Sequence, residues 1–334
     1  MSDLRHHGDV DAAPGLQDFA VNVRGSAPPL WLRDRLVAAL DRLGTYPSAA
    51  DDRRAREAVA ARHGRDPDHV LVLNGAAEGF ALLPALAPRT AAVLHPSFTE
   101  PEVALRDAGI PLHRVMHRDP VPDDADLVVL GNPTNPTSEL HPKAAIAALT
   151  RPGRVTVVDE AFMDAVPGEE ESLAGDDLPG LLVLRSLTKT WALPGLRAGY
   201  ALGHPDLLRR LGGHRPHWPV GTLVLEAVTA CAEPRAVREA ERAAQEYTGH
   251  REWLIERLQE IPGVHVHQPA AAPFVLIRVR DGERVRRNLR DRGIAVRRGD
   301  TFPGLTTDHL RIAVRAPEAS EDLIKALTME VGTP

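Results

Sequence analysis

Two early stretches, residues 30–43 (LWLRDRLVAALDRL) and 51–63 (DDRRAREAVAARH), space their apolar residues three and four apart, which predicts helices. A strand-like run follows, His69-Val70-Leu71-Val72-Leu73, then a turn at Asn74-Gly75 and an apolar helix to about Leu86. Beyond it strands and helices alternate. The apolar runs Ala91–Leu94, Leu127–Leu130, Val155–Val158 and Leu181–Leu184 are short, unbroken and bounded by turn residues. Strands buried on both faces of a mostly parallel sheet have this pattern. After residue 232 the rhythm changes. A long charged amphipathic helix, Pro234 to Glu260, leads to strands at Val264–Val266 and Phe274–Val279, a helix at Glu283–Arg292, strands near Ile294–Val296 and Leu310–Val314, and a last helix. The predicted organisation is a large α/β domain over residues 36–232 and a smaller α+β domain over 233–334. An N-terminal segment, 1–35, is expected to pack on the small domain and the active site.

Composition narrows the function classes. The chain has 334 residues, 43% of them apolar, enough for one large core and a second, smaller one. A net charge of −6 lacks the basic footprint of a nucleic-acid binder. Residues Met1 to Gly15 have no apolar signal core, and no run approaches the roughly 18–20 apolar residues that span a bilayer, so a cytoplasmic protein without membrane contact is expected. A single cysteine, Cys231, rules out an internal disulfide. There are 15 histidines but no HExxH, and His265-x-His267 lacks an evident third ligand, so no metal is expected. No G-x-G-x-x-G follows the first strand, which disfavours a dinucleotide enzyme.

Of 40 basic residues only Lys143, Lys189 and Lys325 are lysines. A lysine can shed its proton when desolvated and attack a carbonyl, which arginine cannot do. Lys143 and Lys325 fall on amphipathic helices and read as solvated charges, whereas Lys189 lies between an apolar strand and an apolar turn.

Five segments carry candidate chemistry, none diagnostic alone. Ser186-Leu187-Thr188-Lys189 follows a strand, and Arg197 comes eight residues after the lysine; a serine and an arginine there suit an anion, although an ordinary basic turn reads the same. Asp159 ends a buried strand, where a carboxylate needs a cation, supplied either by a ligand or by one of many arginines. Asn132-Pro133-Thr134-Asn135-Pro136-Thr137 follows another strand and competes with plain turn chemistry. Asn74-Gly75-Ala76-Ala77 opens a helix with free amides, an anion site or a simple cap. His95-Pro96-Ser97-Phe98 offers a ring for stacking on a planar group, or a core phenylalanine.

Taken in order, NPTNPTS at 132–138, VVDEAF at 157–162, SLTK and PGLRAGY within 186–200, NGAAEG at 74–79 and HLRIAVR at 309–315 resemble fold-type I pyridoxal-phosphate (PLP) enzymes of the class I/II aminotransferase family. The similarity is greatest to the histidinol-phosphate aminotransferase and threonine-phosphate decarboxylase branches, from about Asp18 to the C-terminus. The resemblance implies an aspartate-aminotransferase-like fold, PLP as cofactor, and Lys189 as the Schiff-base lysine that later moves protons. It implies that Asp159 pairs with the pyridine nitrogen, that Asn135 bonds the ring oxygen beside Phe162, and that Phe98 stacks on the ring. Ser186, Arg197, Ala76 and Ala77 would hold the cofactor phosphate, with Tyr46 reaching it from the other subunit of a homodimer. Arg311, Arg297, Asn22, Asn135 and His7 would bind a small amino-phosphate substrate.

Three features favour decarboxylation of L-threonine O-3-phosphate, a step of cobalamin biosynthesis, over transamination. Phe162 stands where the family's aminotransferases usually have tyrosine. Arg5-His6-His7-Gly8-Asp9 resembles the decarboxylases' N-terminal His-Gly-Gly segment, although Asp9 replaces its second glycine. Asp18-Phe19-Ala20-Val21-Asn22 resembles their Asp-Phe-Ser-x-Asn stretch. An aminotransferase acting on histidinol phosphate or a related amino-phosphate is the alternative, and a non-catalytic PLP-binding module is the alternative of another class.

Overall fold

The computed structural model describes residues 4–116 and 119–331. Among them twelve strands run in chain order: β1 (Gln17–Phe19), β2 (Val70–Leu73), β3 (Ala91–His95), β4 (Leu112–Met116), β5 (Leu127–Gly131), β6 (Val155–Asp159), β7 (Leu181–Ser186), β8 (Gly199–Gly203), β9 (His265–Val266), β10 (Phe274–Arg278), β11 (Ile294–Arg298) and β12 (His309–Ala313). Seven form one sheet in the order β2-β8-β7-β6-β5-β3-β4, in which β8 alone runs against its neighbours. The other five form a second sheet, β1-β11-β12-β10-β9, antiparallel except for the β1–β11 pair.

The unbroken apolar runs are strands because both of their faces are buried. On β6, Val158 enters the core shared with Val183, Tyr200 and Leu225, while Val157 enters the opposite core with Leu182, Leu184 and Phe80. Each such side chain removes apolar area from water worth about 1.5–3 kcal/mol. Helix Ala49–His63 begins two residues before its apolar pattern because Ser48 caps it: its hydroxyl accepts from the Asp51 amide at 3.1 Å, and the Asp51 carboxylate accepts from the Ser48 amide at 3.2 Å. The first of the two predicted helices is Leu30–Ala39, and a 3₁₀ turn, Leu40–Arg42, continues it.

The apolar pattern missed three strands. β1 is three residues long, too short to show a period. β4 (LHRVM) exposes His113 and Arg114 at the sheet edge, so its polar residues hide it. β8 begins and ends in glycine within a segment read for its arginine. The helix Pro234–Gln259 gives Ala236 and Ala240 to the large-sheet core and Leu254 and Leu258 to the small-sheet core, tying the two together. No described helix is long and apolar enough to cross a membrane.

Candidate active site

The carboxyl ends of the parallel strands are where open α/β sheets bind ligands. Gly131, Asp159 and Ser186 are the last residues of β5, β6 and β7. A cavity of about 500 Å³ opens there, between the two sheets. Of the residues singled out in the sequence, Lys189, Asp159, Ser186, Arg197, Asn135, Phe98, Phe162, Ala76, Ala77, His7, Asn22, Arg297 and Arg311 all line it. Tyr46 does not. It stands exposed and stacks on Trp218 with ring centroids 4.3 Å apart. A cavity of about 580 Å³ lies elsewhere, and Arg154 in its wall is already committed to the backbone oxygens of Ala125 and Pro122.

The turn after β7 sets the cation end of the site. The Ser186 hydroxyl lies 2.8 Å from that of Thr188 and accepts from the Thr188 amide at 3.3 Å. Gly75 has φ +78°, and a Cβ there would stand 3.1 Å from Arg197 Nη2, so glycine lets the guanidinium close over the start of helix Ala76–Leu82. A Cβ on Gly199 would meet the Ala76 nitrogen at 2.9 Å, and glycine there allows β8 to lie against the same turn. The first helical amides, those of Ala76 and Ala77, have no intrahelical acceptor.

Among the described residues, three charges in the cavity, Asp159, Lys189 and Arg311, have no ion-pair partner. Asp159 keeps one side open to the cavity with protein on the others. Burial raises its pKa to about 7, against the opposing pull of the Ala161 amide, which donates to Oδ1 at 3.1 Å, and of Lys189. Burial, helped by Arg311 and Arg197, lowers the Lys189 pKa to about 8. Arg311 is lowered to about 9 by burial and then by Arg297; its Nη1 donates to Asn135 Oδ1 at 2.6 Å, its Nη2 to the Ala20 carbonyl at 2.5 Å, and its buried Nε has no partner. Both side-chain atoms of buried Asn22 are likewise without partners. Burial without partners is costly, so such groups mark places where a ligand can bind.

The N-terminal segment forms the roof. The Thr99 hydroxyl donates to the Leu4 carbonyl at 2.5 Å, and His7 Nε2 meets Glu100 Oε1 at 2.6 Å with its ring 5.3 Å from Phe98. Arg297 is less available than the sequence implies. Its Nη1 pairs with Asp11 at 3.4 Å, and its Nη2 donates to the His6 carbonyl at 2.5 Å and to Thr301 at 2.7 Å. Arg298, the next residue of β11, pairs with Asp300 at 2.7 Å and does not line the cavity. Phe162 packs edge-on against Phe274, 4.9 Å between centroids. Thr188, Asp9, Glu100 and Phe302 line the cavity unforeseen. Thr188 was legible as a second hydroxyl beside the serine. Glu100 had no local signal, since its partner lies 93 residues away.

This arrangement suits PLP. It offers a carboxylate lacking an ion-pair partner for a pyridinium, an amine of lowered pKa for an aldehyde, hydroxyls and a guanidinium for a phosphate, and a phenylalanine in the wall for a flat ring. A volume of about 500 Å³ is ordinary for a small-molecule site. Comparison with known proteins agrees. The model of the family described as "Aminotransferase class I and II" matches residues 28–327. A histidinol-phosphate aminotransferase of Mycobacterium tuberculosis is 56% identical over 322 residues, covering 94% of this chain and 88% of the relative. A threonine-phosphate decarboxylase of Salmonella typhimurium is 30% identical over 339 residues, covering 93% and 90%. The crystal structure of the histidinol-phosphate aminotransferase from Clostridium acetobutylicum superposes with a TM-score of 0.85 at 23% identity, covering 95% of this chain and 99% of that one. The chain therefore belongs to the class I and II aminotransferase family and is an α/β protein of that fold whose cofactor is pyridoxal phosphate.

Proposed function

We propose that this protein is an aminotransferase acting on histidinol phosphate or a related amino-phosphate. The observation that carries the reading is the 56% identity to the Mycobacterium tuberculosis histidinol-phosphate aminotransferase across nearly the whole chain. It outweighs the features that pointed to decarboxylation, Phe162 and the N-terminal histidines. Decarboxylation of threonine phosphate remains the second reading, supported by those features and by the 30% identity to the Salmonella typhimurium enzyme.

When bound, PLP supplies an electron sink for the pair released at the substrate's α-carbon. The residues of this chain do the rest. Lys189, with its pKa lowered to about 8, holds a usable fraction of neutral amine near neutral pH and can take and return a proton. Asp159 would pair with the cofactor's ring nitrogen and hold it protonated, which would offset the cost of burying the carboxylate. Ser186, Thr188, Arg197 and the amides of Ala76 and Ala77 bind the cofactor phosphate. Phe98 would bound the cofactor's ring, and Asn135, whose Oδ1 accepts from Arg311, would offer its amide nitrogen to the ring oxygen, whereas Phe162 has no hydroxyl to donate. Arg311 and Asn22, with their unpartnered atoms, grip the substrate's anionic group; His7 and Arg297 complete that wall. The exposed Tyr46–Trp218 stack supports a homodimer in which Tyr46 reaches the partner's cofactor phosphate.

The test is mass spectrometry of purified holoprotein given L-histidinol phosphate and 2-oxoglutarate. Glutamate and the corresponding keto phosphate should accumulate over many turnovers. No amino transfer, with CO2 and aminopropanol phosphate released from L-threonine O-3-phosphate without a keto acid, would replace this reading by the second.

A further inference from the structure

The small sheet turns one face toward the large domain, and that face continues past the active site. Residues paired across neighbouring strands point to the same side, as do residues two apart along a strand. Arg297 pairs with Arg311, Arg311 with Leu276, and Arg278, two residues from Leu276, pairs with His309 on one side and His265 on the other. The row that begins in the catalytic cavity therefore ends in a second cleft of about 460 Å³, where Arg278, His265 and His309 meet the apolar side chains of Leu276 and Leu305.

Three loops separate the two cavities, and each gives a residue to both. Phe98, Asn135 and Phe302 face the catalytic cavity; Pro96, Thr137 and Gly304 face the cleft. Among the described residues no carboxylate lines the cleft, and Arg278 is exposed without an ion-pair partner. The Thr137 side chain, 4% exposed, has a hydroxyl with no hydrogen-bond partner although it lines the cleft. Buried hydroxyls are normally satisfied, so an acceptor is missing here. His309 Nδ1 accepts from the Thr306 amide at 3.1 Å, so a neutral ring carries its proton on Nε2 and can donate.

We propose that this cleft is a second binding site, separate from the catalytic one, for a small organic anion: a phosphate or carboxylate group carried on an apolar stem. Arg278 and the flanking imidazoles take the anionic oxygens, Thr137 donates its hydroxyl, and the stem lies along Leu276 and Leu305. An occupant would press on the loop that holds Asn135, so the site is placed to influence the catalytic cavity through the residue that contacts Arg311. The assignment does not depend on which reaction the enzyme catalyses.

Calorimetric titration of the PLP-loaded protein with phenyl phosphate tests it. The wild type should show a binding event that survives Arg311→Lys, disappears in Arg278→Ala and weakens roughly tenfold in Thr137→Val, the size of one lost charge-assisted contact. Arg278→Ala should leave amino transfer unchanged in the absence of the probe, because Arg278 lies outside the catalytic cavity. An Arg278→Ala isotherm that coincides with the wild type overturns the proposal. So does a single wild-type event that Arg311→Lys abolishes, which would place all binding in the catalytic cavity, or no wild-type binding up to about the millimolar range, the limit of a specific contact.

Discussion

Strands β6 and β7 carry charges on both of their faces, and the two sets are managed in opposite ways. On the face away from the cavity, Arg185 is 1% exposed and donates to Glu160 at 3.0 Å, to Glu169 at 2.7 Å and to Asp164, while Arg62 closes the ring onto Asp164 at 3.0 Å and Glu169 at 2.7 Å. One residue along each strand, Asp159 and Ser186 face the cavity with Lys189 and Arg311. There Asp159 has no ion pair among the described residues, and Arg311 keeps a free Nε. Structural and functional charge thus differ within one core. A buried charge that its neighbours neutralise holds the fold together, whereas one left uncompensated waits for a ligand.

The most severe break of this comparison is Lys189→Ala. Turnover should fall by on the order of 10⁴-fold or more, because the proposed function makes the amine both the covalent anchor and the proton carrier. Thermal stability should hold, since an unpaired buried amine is a burden to the fold. Near-normal turnover by this variant would end the assignment of Lys189.

Arg185→Met should act in the reverse sense. It leaves Glu160 without a cation and Asp164 and Glu169 with Arg62 alone, a loss of about 3–5 kcal/mol read as a lower denaturation midpoint. Unchanged stability with lost cofactor affinity would mean that the network serves the site instead.

Asp159→Asn sharpens the comparison through pH. Burial raises the Asp159 pKa to about 7, well above the ordinary aspartate value of about 4, so between those values the folded, cofactor-free protein binds the proton that the unfolded chain releases. Stability therefore declines as pH rises from about 4 to 7, and the full penalty, about 2–4 kcal/mol, persists above 7. Cofactor-free Asp159→Asn should lack this decline and be more stable than the wild type at pH 8. PLP binding should reverse the order by giving the wild-type carboxylate its cation. A cofactor-free wild type whose midpoint rises between pH 4 and 7 relative to the variant contradicts the assignment.

The smallest expected effect is that of Phe162→Tyr. The added hydroxyl gains one hydrogen bond at the ring oxygen but must fit beside Phe274, so kcat for amino transfer should change less than about tenfold. A larger gain would mean that this position chooses the reaction.

The same contrast explains what could be read in advance. The half of the cavity proposed for the cofactor stands on strand ends and on the turns that follow, so Asp159, Ser186, Lys189, Arg197, Ala76 and Ala77, which all line it, lie within a few residues of an apolar run. The choice of reaction was not legible. Phe162 and the N-terminal histidines pointed to a decarboxylase, yet the 56% identity favours an aminotransferase, because a single side chain does not fix which bond to the α-carbon the site activates.

The α/β class, the strands buried on both faces, and the placing of Lys189 and Asp159 beside strand ends follow from periodicity and strand-end chemistry, which are local properties of the chain. The contacts of His7 with Glu100 and of Arg297 with Asp11, 286 residues away, are set by the tertiary structure. It alone set Glu160 and Arg185 on one face of the sheet with Asp159 and Ser186 on the other, and carried the basic row of the small sheet through to a second cleft. Pairing between distant strands and the neutralisation of one charge by another depend on which segments meet, and no local pattern encodes that meeting.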